Sequence, residues 1–383
     1  MRRTLLAIIG LLIISLPSAR ADEPAVSVSG YILTDFVQYV NTEGRYTIEN
    51  QAGDWQLKAN KGYDAFEITR AYLTFSANLS EKVFASLTTD LYTNDDGYRT
   101  IFAKYAFVEL RELYPHGKLR LGLQEPPWSI SDSELWKYRI VEQGFYSYWG
   151  TFSSADYGVS LLGDFFDGLV KYHLAVLNGE GYSKIENASF KQYVGRITLD
   201  FGSADKFRFY PSIGYSSNHR EHADLKDNVL MAGAGLDVGG RFHLAGEYFQ
   251  GIYTMEEGDF PLVRGRWPEG AVDAIAAASG DSALLTEDKD IDFMGWAIYG
   301  ELKLWDKLNL FGRYDLYEPN RDSDYDRDGE LMWMAGICYH PIDNLWMTID
   351  YRENSFQQPD PDDDGEQELP PSRMIYTHWK IAF

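Results

Sequence analysis

The sequence contains a single cysteine, Cys338, among its 383 residues. One cysteine cannot form an internal disulfide, so the fold must be stable without such cross-links. The seven histidines show no paired spacing typical of zinc sites, and no glycine-rich phosphate-binding motif occurs. Basic residues are also scarce, 35 against 58 acidic, and the net charge of −23 repels nucleic acid. The composition therefore disfavours zinc enzymes, nucleotide-binding domains and nucleic-acid-binding proteins.

Long apolar runs are missing after residue 21. Before it, a basic start at Arg2 and Arg3, an apolar stretch and the small-residue site Ala19-Arg20-Ala21 predict a secretory signal peptide over residues 1–21. Its removal takes away three arginines and no acid, so the formal charge goes from −23 to −26. No later apolar run approaches the roughly 18 residues of a transmembrane helix. A closed β-barrel needs no such run, because its strands alternate apolar and polar residues.

Alternation of this kind is what the rest of the chain contains. Segments of period-2 patterning are separated alternately by short turns and by longer polar connections. Short turns at one end and long loops at the other are typical of outer-membrane barrels. The sequence therefore predicts an all-β fold over residues 22–383, a 16-stranded antiparallel transmembrane β-barrel. An even strand count puts both termini on the periplasmic side.

The two faces of each predicted strand differ in polarity. In one strand Leu308, Leu310 and Leu316 alternate with Asn309 and Asp315. A lysine or arginine facing lipid near mid-membrane costs about 2 to 4 kcal/mol, so the charged face is assigned to the lumen. Sixteen strands form a wall too wide for side chains to fill, which leaves a water-filled interior. The predicted lumen-facing wall residues are Arg70, Arg120, Lys171, Arg196, Arg208, Arg241, Arg313, Asp315, Asp350 and Arg352.

The connection from Glu125 to Ala155 is unusual in length and composition. It follows the alternating strand Leu119 to Gln124 and begins with Pro126 and Pro127, which cannot donate hydrogen bonds to a sheet. Loops of about thirty residues are functional or disordered, and the many tryptophans and tyrosines here argue against disorder. We predict that residues 125–155 fold inward as the third external loop and constrict the pore.

Within this loop, the spacing of Ser131 and Glu134 matches a capping box. It predicts a short helix from about Asp132 to Val141. Such a helix would present four charged side chains to the lumen as the pore constriction: Glu134, Lys137, Arg139 and Glu142. The alternative is that these are ordinary solvated loop charges.

Three stretches resemble the phosphate-selective porin O/P family of bacterial outer-membrane channels: Phe66 to Tyr92, Tyr105 to Ser129 and Tyr157 to Tyr182. In the second stretch, Gly122, Gln124, Pro126 and Pro127 approximate the family's Gly-Gln-x-x-Pro pattern before the third loop. The resemblance implies a trimeric porin whose third loop constricts the pore. Family members selective for phosphate use a ladder of arginines and clustered lysines, which are not assigned to residues of this chain.

Two aspartate clusters alternate carboxylates ahead of a glycine, as in the first half of a calcium loop. The glutamate expected at position twelve is absent from both, and Ala335 and Pro371 stand there instead. Weak Ca²⁺ binding between external loops and plain solvated acidity both remain open. The candidate metal ligands are Asp324, Asp326, Asp328, Asp360, Asp362 and Asp364. No other cofactor is predicted.

Function is predicted from these features together. The leading hypothesis is a porin of the Gram-negative outer membrane, which allows passive diffusion of small hydrophilic solutes or ions. It would be in contact with the lipid bilayer and assembled as a homotrimer. The acidic loops favour cations weakly, whereas the family resemblance implies anion or phosphate selectivity. The alternative is a barrel that acts as a structural sheath or surface receptor for a periplasmic or extracellular partner. An enzyme is disfavoured, because the esterase-like Gly280-Asp281-Ser282 lacks the companion histidine motif.

Overall fold

The computed structural model describes residues 25–40, 46–51, 54–59, 64–93, 98–129, 131–183, 190–219, 226–254, 290–319, 321, 329–356 and 371–383. The predicted signal peptide and both aspartate clusters lie outside these residues. Within them the chain is almost entirely β-structure. No helix of the described part is long and apolar enough to cross a membrane.

Nineteen β-strands and two single-turn helices occur in the described residues. The first nine strands are β1 (Ala25–Tyr39), β2 (Tyr46–Gln51), β3 (Asp54–Ala59), β4 (Asp64–Asn78), β5 (Val83–Thr93), β6 (Arg99–Tyr114), β7 (Gly117–Gln124), β8 (Asp156–Phe165) and β9 (Val170–Leu177). The other ten are β10 (Gln192–Leu199), β11 (Phe201–Ser203), β12 (Phe207–His219), β13 (Lys226–Val238), β14 (Phe242–Thr254), β15 (Asp290–Trp305), β16 (Leu308–Glu318), β17 (Glu330–Ile342), β18 (Leu345–Phe356) and β19 (Ser372–Ala382). The helices are α1 (Ser131–Glu134) and α2 (Phe145–Tyr148).

The barrel is closed and antiparallel, with each strand paired to its neighbours in the chain. Strands β10 and β11 follow each other along the same partner, β12, and count as one strand of the barrel. The described residues therefore form a sixteen-stranded barrel. Closure occurs where β1 pairs with both β4 and β19. There Gly30 and Phe383 exchange two backbone hydrogen bonds of 2.9 Å. The predicted strand number and topology are confirmed, whereas the hairpin β2–β3 lies in a stretch predicted only as a connection.

Short turns join the strands at one end of the barrel, as predicted. Between β13 and β14 the chain reverses through Gly239 and Gly240, whose φ angles are 61° and 62°. Two consecutive positive φ angles define the tight hairpin turn that matches the twist of antiparallel strands, and side chains would strain it. The glycine pair therefore fixes the register of β13 on β14.

The two faces of the wall differ as the alternation predicts. In β16 the side chains of Asn309, Phe311, Arg313, Asp315 and Tyr317 are buried, whereas the intervening residues are more exposed. Across the sheet the exposed set is apolar and forms a continuous outer surface; examples are Ile213 at 57%, Ile298 at 50% and Ile349 at 50% exposure. An apolar outer band with polar residues inside is the arrangement that a lipid bilayer requires of a barrel.

The main apolar cluster lies inside the barrel. It joins aromatic residues of the segment 125–155, such as Trp136 and Phe145, to inner-wall residues such as Phe249, Tyr299 and Phe311. Cys338 belongs to the same cluster and is fully buried on the inner face. The segment 125–155 is thus packed against inner-wall residues.

Candidate functional site

The segment from Glu125 to Ala155 contacts the inner face of the wall through aromatic rings. Tyr138 stacks on Phe311 with ring centroids 4.4 Å apart, and Trp136 lies 5.3 Å from Tyr299. Trp136 and Tyr138 are 1% and 2% exposed. Because Tyr299 and Phe311 point to the interior, these contacts hold the middle of the segment against the wall. Burial of whole aromatic side chains gives a loop its largest hydrophobic stabilisation.

Hydrogen bonds fix the end of the segment to the same part of the wall, mainly to β16. Trp149 Nε1 donates to Asp315 Oδ2 over 2.9 Å, and Arg313 Nη1 donates to the Gln143 carbonyl over 2.5 Å. Near them the Tyr146 hydroxyl lies 3.1 Å from the carbonyl oxygen of Tyr248. The wall therefore supplies partners for loop groups that would otherwise be buried without one.

The predicted helix from Asp132 to Val141 is wrong in its extent. The structure has one turn, α1, and the chain then leaves helical geometry. Wall side chains take the carbonyl groups that a longer helix would use. The Tyr210 hydroxyl donates to the Glu134 carbonyl over 3.0 Å, and His243 Nε2 lies 2.8 Å from the Leu135 carbonyl. Contacts with the wall thus replace helical hydrogen bonds at these positions.

Two of the four predicted constriction residues form short ion pairs with the wall. Lys137 Nζ lies 2.7 Å from Asp237 Oδ1, and Glu142 Oε2 lies 2.5 Å from Arg352 Nη1. Arg352 is 5% exposed, so its ion pair is shielded from water and from salt. These side chains tie the segment to β13 and β18 instead of projecting freely into the lumen.

The other two predicted constriction residues have different surroundings. Glu134 Oε2 lies 3.7 Å from Arg208 Nη2, a longer ion pair at the edge of the segment. Arg139 lines a cavity together with the wall residue Arg70. Among the four predicted residues, Arg139 is the one that lines this cavity.

Nine of the ten predicted wall residues lie within strands and on their inner face. Arg313 and Asp315 form a fully buried ion pair of 2.5 Å, and Lys171 and Arg208 share Asp200 at 2.6 and 2.7 Å. Arg241 differs, because β14 begins one residue later and Arg241 lies exposed in the turn after Gly240. The glycine pair ends the strand pairing before Arg241, so this residue belongs to the rim of the barrel.

The remaining predicted wall residues also lie in strands and face the interior. Arg120 Nη2 lies 2.9 Å from Glu109 Oε2, and Asp350 Oδ1 lies 2.9 Å from His378 Nε2. Arg196 lies 6.0 Å from the ring centroid of Trp128, measured from its guanidinium carbon. The six aspartates predicted as metal ligands lie outside the described residues, and the described part holds no cluster of metal-binding side chains. Calcium binding stays a prediction.

A cavity opens between the segment 125–155 and strands β1, β4, β5 and β6. It encloses about 840 Å³ of empty space, including its opening to solvent. We call it the loop–wall cavity. Its lining residues are Tyr31, Arg70, Tyr72, Thr74, Thr88, Tyr105, Glu125, Ser129, Ser133, Arg139 and Ser154.

Two β-bulges border the loop–wall cavity. Opposite Leu33 and Thr34 of β1, the partner in β4 jumps from Arg70 to Ile68. Opposite Thr88 and Thr89 of β5, the partner in β6 jumps from Tyr105 to Ala103, so Lys104 is the extra residue. A bulge turns the side chains that follow it to the other face of the strand. As a result, both Lys104 and Tyr105 lie on the inner side.

Lys104 and Arg70 have hydroxyl partners. Lys104 is 1% exposed, donates a hydrogen bond to Ser154 Oγ and lies 3.7 Å above the Tyr182 ring. Arg70 Nη1 donates to the Tyr72 hydroxyl over 2.6 Å. Among the residues that the structure describes, neither cation forms an ion pair within 4.0 Å. Burial raises the pKa of Tyr182, so its ring remains neutral beside the lysine.

Lys104 and the tyrosines around it were not among the predicted site residues. A signal was present, because Lys104 and Glu109 occupy positions of opposite parity in one strand, as do Glu67 and Arg70 in another. Charged residues on both parities of a membrane strand require either a lipid-facing charge or a bulge. The bulges observed in β4 and β6 resolve this conflict.

A comparison with models of known protein families finds no match, and a search of curated protein sequences finds none either. Solved structures do match. The anion-selective porin from Comamonas acidovorans has a TM-score of 0.60 at 11% identity, over 94% of this chain and 100% of that one. The outer membrane channel DcaP of Acinetobacter baumannii has a TM-score of 0.60 at 11% identity, over 95% and 99%. The trimer form of OmpT from Vibrio cholerae has a TM-score of 0.52 at 14% identity, over 94% and 100%.

These likenesses identify the fold as that of bacterial outer-membrane porins, over nearly the whole chain. The resemblance to the phosphate-selective O/P group in particular stays a prediction.

Proposed function

We propose that this protein is a porin of the Gram-negative outer membrane, through which small hydrophilic solutes and ions pass by passive diffusion. The observation that carries the proposal is a closed sixteen-stranded barrel whose outer face is apolar and whose inner face is charged. A lipid bilayer favours the apolar outer face, and a water-filled path requires the charged inner face. The similar solved structures are themselves described as porins or outer-membrane channels.

We further propose that the segment from Glu125 to Ala155 folds into the lumen and sets the constriction. Its aromatic packing on Tyr299 and Phe311 and its ion pair with Arg352 support a fixed position. Passage is then confined to the space that the segment leaves beside the wall, where the loop–wall cavity lies. Narrow passages of this kind select by size and by the charge of their lining.

The same cavity supports a preference for anions. Arg70 and Lys104 lack ion-paired carboxylates in the described part of the chain, and Arg139 adds a third basic group. A buried cation that lacks an ion-paired carboxylate attracts mobile anions, because little water screens it. The weak cation preference expected from the acidic loops would then apply only outside the constriction. Assembly as a homotrimer is part of the proposal, supported by the trimer described for one similar structure.

Planar-bilayer recording of the purified protein tests the proposal. A steady open conductance is expected, with a reversal potential in a potassium chloride gradient whose sign indicates anion preference. Replacing both Lys137 and Arg139 by Glu tests the role of the segment and should change conductance and ion preference. A folded barrel that stays silent would contradict the porin function and favour a structural sheath or surface receptor.

A further inference from the structure

Three tyrosine rings form one side of the loop–wall cavity. The ring centroids of Tyr31 and Tyr72 are 4.9 Å apart, and those of Tyr72 and Tyr105 are 6.5 Å apart in an edge-to-face arrangement. All three residues line the cavity. The cavity therefore offers aromatic surface, which a simple hydrated ion does not need. Aromatic pairs gain binding free energy beyond the area that they bury.

Basic groups lie next to these rings. The guanidinium carbon of Arg70 is 5.1 Å from the Tyr72 ring centroid, and Arg139 lines the cavity from the loop side. Lys104 lies behind Ser154, which lines the cavity and accepts its hydrogen bond. Lys104 thus contributes charge without direct contact.

Two acidic side chains lie at or near the loop–wall cavity and offset part of its basic charge. Glu125 lines the cavity together with Tyr105. Asp90 lies close enough to influence Arg70 and Lys104, and it accepts backbone hydrogen bonds from Ala71 and Leu91. Three basic groups and two acidic ones therefore lie at or beside the cavity.

We propose that the loop–wall cavity binds small carboxylates that carry an aromatic ring. The carboxylate pairs with Arg70 and Arg139, whose planar guanidinium groups match its geometry, and the ring packs against Tyr31 and Tyr72. This inference rests on the proposed channel function and names the class of solute for which the constriction is selective. Inorganic phosphate would use the charges and leave the aromatic surface in contact with water.

Benzoate, cyclohexanecarboxylate and inorganic phosphate are the probes, each added to single channels that conduct chloride. Benzoate should reduce the chloride current at about fivefold lower concentration than cyclohexanecarboxylate, which has the same charge but no aromatic ring. It should also act at lower concentration than phosphate. Equal effects of the two organic acids, or a stronger effect of phosphate, would overturn the proposal. Channels that never conduct would instead contradict the porin function.

Two variants locate the site. Tyr72→Leu keeps the charges but removes one ring together with the hydroxyl that accepts from Arg70, and it should raise the half-blocking benzoate concentration about fivefold. Tyr215→Leu is the matched control, because Tyr215 is 50% exposed on the outer face. Folding of both variants is checked by their heat-dependent electrophoretic mobility. If Tyr72→Leu folds, conducts chloride and still binds benzoate like the parent protein, the assignment to this cavity is wrong.

Discussion

Trp149 Nε1 and Asp315 Oδ2 lie 2.9 Å apart inside the barrel, at the end of the segment 125–155. The same carboxylate accepts two hydrogen bonds from Arg313, of 2.8 and 2.5 Å. Trp149 is 1% exposed and Asp315 is fully buried. One buried carboxylate thus fixes both a wall arginine and the loop. A charge kept in such surroundings is stable only while its partners remain in place.

Trp149→Phe should loosen the loop without removing its apolar contact. Phenylalanine keeps the packing on Tyr317, whose ring centroid is 5.0 Å from that of Trp149, but cannot donate to Asp315. Loss of a hydrogen bond to a charged group costs about 1.5 to 3 kcal/mol. We expect noisier single-channel currents and a lower unfolding midpoint. Trp305→Phe, at a site that is 68% exposed, should change neither quantity.

Glu142 and Arg352 should show a direct energetic coupling. Their charged atoms are 2.5 Å apart, and Arg352 also donates to the Val141 carbonyl over 3.2 Å. A double-mutant cycle with Glu142→Gln and Arg352→Gln should give about 1 to 3 kcal/mol of coupling in the free energy of unfolding. Additive effects of the two substitutions would show that the pair does not hold the segment.

Lys104→Met should stabilise the barrel while weakening anion preference. The lysine is 1% exposed and lacks an ion pair in the described structure, so its buried charge is unfavourable. Methionine has a similar volume and no charge. We expect a higher unfolding temperature together with a smaller chloride-to-potassium permeability ratio in the reversal-potential measurement. An unchanged permeability ratio would show that Lys104 does not contribute to ion selectivity.

The architecture was predictable because membrane strands obey strong constraints. The alternation of Leu308, Leu310 and Leu316 with Asn309 and Asp315 assigns two faces, and a one-residue slip would place charge in lipid. Turn signals such as Gly239-Gly240 then set the strand boundaries. For these reasons the strand count, the pairing order and the inner position of nearly all predicted wall residues could be obtained from the sequence.

The site was less predictable because its geometry depends on exceptions to the alternation and on tertiary contacts. The bulge at Lys104 breaks the period-2 rule that otherwise assigns faces. The helix predicted after Ser131 ends at Glu134, because Tyr210 and His243 bind the carbonyls that would continue it. Both wall residues lie more than seventy positions away in the chain, beyond the reach of local capping rules.

Gly122→Ala should disrupt the entrance to the loop. Gly122 has a φ of 123°, and an added Cβ would lie 2.3 Å from the Ala106 carbonyl oxygen and 3.0 Å from the Phe107 Cα. Those atoms belong to the backbone of β6, two to three residues from the bulge at Lys104, so relief requires moving β7 away from β6. Backbone strain of this kind costs about 1 to 3 kcal/mol before the clash is counted.

The expected result is a loss of folded yield, or a clear drop in the unfolding midpoint followed by tryptophan fluorescence. Gly300→Ala is the matched control, because Gly300 also lies in a strand and an added Cβ there meets nothing within 4 Å. If both variants fold with the stability of the parent protein, the close approach of β7 to β6 at Gly122 is not required.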